Sequence, residues 1–417
     1  MEFALGYGDG YIRFSIPNGN FAGEIRSAPV SPPSFAAAFA SAWASPHGLP
    51  APLEEVIEKG KRLLFIVPDH TRKLPTEAIL REIWRRLARK LSPRDVAVLI
   101  ATGTHRATRP DELAAILGEF RNLFRVVVHD AEGKLVRMGT TSLGTPVEVN
   151  RLVCEADHII TIGHIGMHYF AGYSGGPKMI LPGVAGAETI RLNHMRLVEP
   201  GAYACVYEAN PIHREMREAV GMVGVLAIVD VVLSGDGTPL RFFVGDPIKA
   251  HRAGVAFWDS IFQVKVPQRA DLVITSPGGY PKDINLYQAH KAIFNAARAV
   301  KDGGMILLIA ECRDGIGHPV FADWARRARD LDGVMEIMKE EGFKIGGHKA
   351  YFFALDRKRG IRHLLLSSLS PEEVRSLGIE PVSSVAEALD LARETFGPNF
   401  SVLVMPHGND TFPVSPP

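Results

Sequence analysis

The chain has 417 residues, 46% of them hydrophobic, and its 47 Lys and Arg side chains nearly balance 46 Asp and Glu, for a net charge of +1. This length exceeds what one hydrophobic core usually organises, so we expect two domains. The two signs of charge are interspersed, without the basic blocks that bind nucleic acids or membrane surfaces, which favours a small-molecule partner.

The three cysteines, Cys154, Cys205 and Cys312, are far apart and form no CxxC pair. They support neither a disulfide framework nor a cysteine zinc site, which fits a reducing compartment. The start of the chain, MEFALGYGDG, lacks the basic and apolar regions of a signal peptide, and no apolar run approaches the roughly 18 residues of a membrane span. We therefore expect a cytoplasmic protein with no membrane segment.

Short β-branched runs bounded by Gly, Pro or Asp alternate with amphipathic helical patterns, which is typical of an α/β fold. The apolar runs on either side of SGDGTP predict a hairpin added to the first sheet. We predict an N-terminal α/β domain over 1–265 and a C-terminal α/β domain over 266–397, and the last strand, about 398–417, could return to the first. In the second domain we predict strands at 271–276, 304–310 and 351–355 and helices at 286–300 and 321–341. The active site is expected in the cleft between the two domains.

The first reactive strand end is IVPDHTR, which places Asp69 and Arg72 after a strand and Pro75 at the first turn of the next helix. Ligands of α/β sheets bind beyond the carboxyl ends of strands, so these side chains are candidates for a site. The alternative is that Asp69 or Thr71 caps the helix and Arg72 is solvated.

The second is IATGTHR, where a strand is followed by Thr102, Gly103, Thr104 and His105. Gly103 would let the backbone approach a ligand closely, and the two threonine hydroxyls can donate hydrogen bonds to a phosphate. His105 is a candidate acid or base, but a lone histidine is more often a satisfied surface or core residue.

The third is GHIGMHYFAGYSGGPK. His164 and His168 have the spacing of helical metal ligands, but the surrounding glycines argue against a helix. Pro177 removes a backbone donor and no Ser or Thr follows Lys178, so a phosphate loop is not predicted either. The apolar continuation MILPGVAG would desolvate the Lys178 amine, lower its pKa and suit it to covalent attachment of a substrate or cofactor, unless Lys178 is a surface lysine with a buried stem.

The fourth is GGYPKDINLYQAHK, which follows a strand. Tyr287, Gln288 and Lys291 fall in the first part of a helix, and the i, i+3 relation of Gln288 and Lys291 places both on one face. Polar groups near a helix N-terminus favour an anionic ligand such as a carboxylate.

Together these segments resemble the nickel-pincer-dependent lactate racemase family. The resemblance rests on DHTR, TGTH, the H-x9-K pair formed by His168 and Lys178, His194 placed 16 residues beyond the lysine, and YQ-x2-K, and it covers about residues 60 to 310. It implies an isomerase whose cofactor is a nickel-pincer nucleotide, Ni(II) pyridinium-3-thioamide-5-thiocarboxylic acid mononucleotide. It implies that this group is attached to Lys178 and that His194 is the nickel ligand, a role that suits a neutral imidazole.

The resemblance further implies racemisation or epimerisation of a 2-hydroxy acid at C2, by hydride transfer through a 2-keto acid. His105 and His168 would be the two general bases, one for each enantiomer, since imidazole titrates near neutral pH. The remaining matched positions would bind substrate, namely Arg72, Tyr287, Gln288 and Lys291, or bind or orient the cofactor, namely Asp69, Thr102, Gly103 and Thr104.

The chain departs from the family where lactate racemases carry a tryptophan near the substrate. Here GGHKAYFFAL offers His348, Lys349 and Tyr351, so the identity of the 2-hydroxy acid stays open. Cofactor-building proteins are implied as partners in maturation. The alternatives are a metal-dependent lyase or hydrolase using His164 and His168 with a carboxylate, and a non-catalytic carrier of the nickel cofactor.

Overall fold

The structure is a computed structural model that describes residues 1–415. Within them the strands are β1 (Glu2–Tyr7), β2 (Gly10–Ser15), β3 (Phe21–Glu24), β4 (Leu63–Pro68), β5 (Val96–Ala101), β6 (Arg125–Val128), β7 (Leu135–Thr140), β8 (Pro146–Asn150), β9 (His158–Ile165), β10 (Met167–His168), β11 (Gly172–Tyr173), β12 (Ala227–Leu233), β13 (Pro239–Gly245), β14 (Gln263–Lys265), β15 (Ala270–Thr275), β16 (Val300–Ile309), β17 (Arg362–Leu366), β18 (Glu380–Pro381), β19 (Val402–Met405) and β20 (Phe412–Val414).

The α-helices in the same residues are α1 (Phe35–Ala44), α2 (Leu53–Val56), α3 (Thr76–Leu87), α4 (Pro110–Leu117), α5 (Phe120–Leu123), α6 (Leu152–Glu155), α7 (Ala187–Met195), α8 (Pro211–Val223), α9 (Lys249–Phe262), α10 (Leu286–Ala296), α11 (Pro319–Arg327), α12 (Leu331–Glu341), α13 (Gly347–Lys358), α14 (Pro371–Ser376) and α15 (Val385–Phe396). None of them is long and apolar enough to cross a membrane.

The chain divides into two compact units, which confirms the predicted pair of α/β domains. One unit is continuous, residues 30–259. The other joins residues 1–29 to residues 260–417. The division near residue 260 lies close to the predicted 265, but the first 29 residues pack with the C-terminal part of the chain and not with the N-terminal domain in which we had placed them.

The unit of residues 30–259 is built on a six-stranded sheet in the order β13-β12-β9-β4-β5-β6. Neighbouring strands are parallel except for β12 and β13, which form the predicted antiparallel hairpin. Strand β4 is buried along its whole length, and its apolar run LLFIVP shows no alternation because both faces of the sheet are covered. This arrangement brings the carboxyl ends of β9, β4 and β5 side by side.

The other unit contains a six-stranded, all-parallel sheet in the order β18-β17-β16-β15-β19-β3. Strand β19, which could have returned to the first sheet, lies here between β15 and β3. The predicted strands 271–276 and 304–310 correspond to β15 and β16, and the predicted helix 286–300 to α10.

Two predictions for this unit are wrong. Residues 351–355 lie inside helix α13, and the predicted helix 321–341 is two helices, α11 and α12. The apolar run AYFFAL looked like a strand because α13 is buried on several faces, which hides the helical period. The break between α11 and α12 occurs where Asp330 caps α12 by accepting a hydrogen bond from the Gly333 N–H.

Candidate active site

Three of the reactive segments predicted from the sequence lie at the carboxyl ends of neighbouring strands. Two begin directly after β4 and β5, and the third follows β9. Asp69 is the first residue after β4, residues 102–105 follow β5, and His168 lies three residues beyond the end of β9. Because β9, β4 and β5 are neighbours and parallel, these segments share one edge of the sheet.

A buried carboxylate holds His105. The Oδ2 atom of Asp69 is 2.7 Å from Nδ1 of His105, and Oδ1 accepts hydrogen bonds from the Thr71 hydroxyl at 2.6 Å and the Thr71 N–H at 3.1 Å. Burial raises the pKa of Asp69, but the hydrogen bonds from His105 and Thr71 outweigh it and leave that pKa below its usual value. An ionised Asp69 makes Nδ1 of His105 the donor, so Nε2 is the nitrogen that can take a proton.

Lys178 lies in the 3₁₀ turn Gly176–Met179, and its Nζ is 2.6 Å from Nε2 of His168. Burial and the positive charge of Arg72 hold the pKa of Lys178 well below 10.5, which is the direction expected from the apolar continuation of this segment. A lysine in this state presents a neutral, nucleophilic amine far more often than a solvated one does.

His194, on α7, is buried, and its Nδ1 is 3.1 Å from Oδ1 of Asn193. Burial lowers the pKa of His194 to about 3, so its imidazole is neutral. The ring of Phe170 makes edge contacts with both histidines, 4.7 Å from His168 and 5.2 Å from His194 between ring centroids. His168, Lys178 and His194 therefore form one cluster, and the charge of Arg72 acts on it.

After β5, Thr102 and Gly103 make hydrogen bonds within the protein. The Thr102 hydroxyl is buried and donates to the His129 carbonyl at 2.8 Å. The Gly103 N–H donates to the Gly183 carbonyl at 2.9 Å, with φ at +55°. Of Thr102, Gly103 and Thr104, only Thr104 is exposed. The hydroxyl of Thr102 thus points to protein, and Gly103 makes its close approach to backbone.

The second candidate group lies on α10, in the other unit. Asn285 caps this helix through the Gln288 N–H at 2.9 Å, Gln288 itself is exposed, and Lys291 is half-buried. Sequence reasoning missed the contacts of Tyr287. Its carbonyl accepts a hydrogen bond from Lys349, and the Lys349 Nζ lies 3.7 Å from the centre of its ring.

His318 stacks on the same Tyr287 ring, with centroids 4.6 Å apart. Burial and the charge of Lys291 lower the pKa of Lys349. The segment that departs from the family pattern thus contacts a predicted substrate-binding residue. The signal was present in GGHK, but the strand predicted just after it, at 351–355, concealed that Lys349 lies on a helix.

Residues 1–415 contain no group of three or more His, Cys, Asp or Glu side chains placed to hold a metal ion. His164 lies in β9 and His168 in β10, so they do not form a helical ligand pair. The lyase or hydrolase alternative requires such a site within the protein. A cofactor that brings its own metal ligands requires only one histidine, and the neutral, buried His194 fits that requirement, with Nδ1 on Asn193 supplying the second contact that metal-binding imidazoles usually make.

Comparison with known families and proteins points to one group. Residues 7–204 match the lactate racemase N-terminal domain and residues 265–412 the lactate racemase C-terminal domain. The chain is 34% identical over 364 residues to the lactate racemase of Thermoanaerobacterium thermosaccharolyticum, with 85% of each chain covered. It is 31% identical over 370 residues to that of Lactiplantibacillus plantarum, with 85% of this chain and 86% of that one covered.

Similarity to solved structures agrees with this family match. The lactate racemase apoprotein from T. thermosaccharolyticum superimposes with a TM-score of 0.89 at 31% identity, over 99% of this chain and 100% of that one. A protein from Thermotoga maritima superimposes with a TM-score of 0.62 at 20% identity, over 87% of this chain and 96% of that one, which shows a shared fold.

Proposed function

The chain belongs to the lactate racemase family and is an isomerase, and we propose that it racemises or epimerises a lactate-like 2-hydroxy acid at C2 with a nickel-pincer nucleotide attached to Lys178. The observation that carries the proposal is the state of Lys178. Its amine has a depressed pKa and lies 2.6 Å from Nε2 of His168. The buried, neutral His194 belongs to the same cluster. A nucleophilic amine beside a ready metal ligand is what covalent attachment of a metal-bearing cofactor requires.

The cofactor's contribution would be the hydride acceptor: loss of hydride from C2 leaves a planar 2-keto acid, and its return to the opposite face inverts the centre. The rest of the work falls to side chains. As hydride leaves C2, the hydroxyl proton must be accepted, and it leaves from different sides for the two enantiomers. We assign these two acceptors to His105 and His168.

Asp69 supports the first assignment. Its carboxylate holds Nδ1 of His105 at 2.7 Å and so keeps the ring in the tautomer whose Nε2 can accept a proton. This hydrogen bond adds to the role expected from the sequence, in which Asp69 binds or orients the cofactor. For His168, the Lys178 amine 2.6 Å from Nε2 holds the ring in the cluster, and acylation of Lys178 would replace that amine with an amide N–H, which donates a hydrogen bond but cannot accept one.

Binding of the substrate carboxylate is assigned to cations. Arg72 and Lys291 are the proposed partners of the carboxylate and the developing charge, with Tyr287 and Gln288 adding hydrogen bonds. Lys349 supports Tyr287 through its carbonyl and its ring. Thr102, Gly103 and Thr104 stay proposed as part of the cofactor environment, through backbone more than side chains. We further propose a cytoplasmic location and maturation by cofactor-building proteins.

The test is an intact and peptide-level mass spectrum with nickel analysis, on protein co-produced with the cofactor-building proteins of a lactate racemase. We expect a nucleotide-sized adduct on the Lys178 peptide with one nickel per chain. Lys178→Ala should carry neither, and Lys349→Met, the matched change at a second buried lysine, should carry both. Wild-type protein with an unmodified Lys178 and no nickel, alongside a loaded relative, would overturn the proposal.

A loaded protein then needs a substrate. Racemisation of single enantiomers should be followed for lactate and for 2-hydroxy acids with larger or additional acidic groups. Loading without turnover of any of them would favour the carrier alternative, which needs neither His105 nor His168.

A further inference from the structure

The turn that carries Lys178 rests on two buried polar side chains from distant parts of the same unit. Asp230 lies on β12, opposite Gly163 of β9 in the parallel register, and its Oδ2 accepts a hydrogen bond from the Gly176 N–H at 2.6 Å. His251 lies on α9, and its Nε2 donates to the Ser174 carbonyl at 2.9 Å. Both side chains have no solvent exposure. The turn is therefore held at residues 174 and 176, immediately before the lysine.

These contacts account for the paired glycines of the sequence. Gly175 and Gly176 have φ of +79° and +47°, which side chains rarely adopt. An added Cβ at Gly175 would lie 2.6 Å from Oδ2 of Asp230, and one at Gly176 would lie 2.6 Å from Cδ2 of His251. The two glycines before Pro177 and Lys178 are therefore needed for close packing against Asp230 and His251.

We propose that Asp230 and His251 are positioning residues that hold the 174–178 turn so that the Lys178 amine faces His168 and His194. The reason why the amine must be held there rests on the proposed function, namely attachment of the cofactor. The positioning itself rests on the contacts above.

The chemistry of the two supports is consistent with a specific role. Burying a carboxylic acid inside a sheet is costly unless its oxygens receive hydrogen bonds. The Gly176 N–H donates one to Oδ2 of Asp230, while Oδ1 has no hydrogen-bond partner among residues 1–415. His251 is also confined, because its ring stacks on His213 at 5.5 Å between centroids. The causes that depress the Lys178 pKa are burial and Arg72, so loss of Asp230 would act on Lys178 through the position of the turn and not through charge.

The experiment measures how fast Lys178 of the cofactor-free protein is acetylated by limiting acetic anhydride, as a function of pH, by quantifying the modified peptide. Asp230→Ala should slow acetylation at neutral pH on the order of tenfold and move the pH profile upward, because one unit of amine pKa is tenfold in neutral amine. Asp230→Asn keeps one oxygen for the Gly176 N–H and should recover part of the rate. His251→Phe keeps the ring but not its donor, and a fewfold loss is expected.

Asp283→Ala is the matched control. Asp283 is a buried carboxylate in the other unit whose Oδ2 accepts from the Gly8 N–H at 2.7 Å and the Glu311 N–H at 3.0 Å. Its loss should destabilise the protein without moving the Lys178 profile. A folded Asp230→Ala variant with the wild-type rate and profile would overturn the proposal.

If Asp230→Ala does not fold, wild-type reactivity in both Asp230→Asn and His251→Phe would overturn the proposal in the same way. Absence of a cofactor adduct on wild-type protein would defeat the proposed function instead, and would leave these acetylation rates to decide the positioning.

Discussion

Each of the two units contains a buried lysine with a depressed pKa, and their surroundings differ. Lys178 ends a glycine turn, with its amine 2.6 Å from a ring nitrogen of His168. Lys349 lies on a helix, donates to the Tyr287 carbonyl and sits over the Tyr287 ring. An imidazole can take a proton from an ammonium ion and leave a neutral amine, whereas a carbonyl and an aromatic face stabilise the ammonium ion.

The difference shows that burial alone does not make a lysine reactive. In both places desolvation disfavours the charged form, and the partner decides what the lysine can do. Lys178 is suited to form a covalent bond, while Lys349 is suited to hold another residue in place. If this contrast is right, substitutions of His105 and of the residues around Lys178 should affect chemistry, and those around Tyr287 should affect binding.

The largest effect is expected for His105→Ala. The substitution removes one of the two proposed proton acceptors. We therefore expect kcat to fall by about 10²–10⁴-fold, while the cofactor adduct on Lys178 remains. Turnover of each pure enantiomer should be measured together with the mass of the Lys178 peptide. His70→Ala is the control, since His70 lies 3.9 Å from the same carboxylate and has no assigned role. Unchanged turnover in His105→Ala would remove His105 from the reaction.

Stability of the unit that carries Lys178 should depend on pH, because the turn rests on two titratable groups, His251 and Asp230, whose effects on stability change in opposite directions with pH. Burial lowers the pKa of His251 to about 4 from 6.5, so stability is lost as pH falls from 6.5 toward 4. Burial raises the pKa of Asp230 to about 7 from 3.8, so its contribution is full below pH 3.8 and is lost as pH rises through 7. Asp230→Asn should therefore steepen the loss of stability between pH 6.5 and 5, by about 1 to 2 kcal/mol.

Urea unfolding followed by tryptophan fluorescence would measure this in a Trp324→Phe background, because the other three tryptophans, Trp43, Trp84 and Trp258, belong to the unit of residues 30–259. Asp283→Asn provides the matched change in the other unit. Parallel stability profiles for the wild type and Asp230→Asn would show that Asp230 titrates normally and does not oppose His251.

The features predicted correctly from the sequence are those that depend on neighbouring residues in the chain. Apolar runs without alternation identified β4, β15 and β16, because strands covered on both faces need apolar residues at every position. The reactive segments after β4 and β5 followed from the rule that ligands bind at carboxyl ends. The placement of residues 1–29 was missed because it depends on β3 pairing with β19, nearly 400 residues away in sequence, and no local pattern encodes that partner.

The residues of the candidate site show the same difference between local signals and contacts distant in sequence. Lys178 could be recognised from its own neighbours in sequence, since the apolar stretch that desolvates it follows directly. Its supports, Asp230 and His251, are 52 and 73 positions away and resemble any polar residue of a strand or helix. Likewise Asp69 was recognised as a site residue, but its hydrogen bond with His105 was not predicted, because that contact bridges two strand ends.

The smallest effect is expected for Lys349→Met, which keeps an unbranched side chain of similar length and removes the amino group. Tyr287 would lose a donor to its carbonyl and a cation over its ring, a loss of about 1 kcal/mol in substrate binding. KM should therefore rise about fivefold, with kcat and the Lys178 adduct unchanged. Lys344→Met, at an exposed lysine paired with Glu341 at 2.8 Å, is the control and should leave both constants unchanged. A fall in kcat or in cofactor loading would break the contrast, because it would place Lys349 in the chemistry together with Lys178.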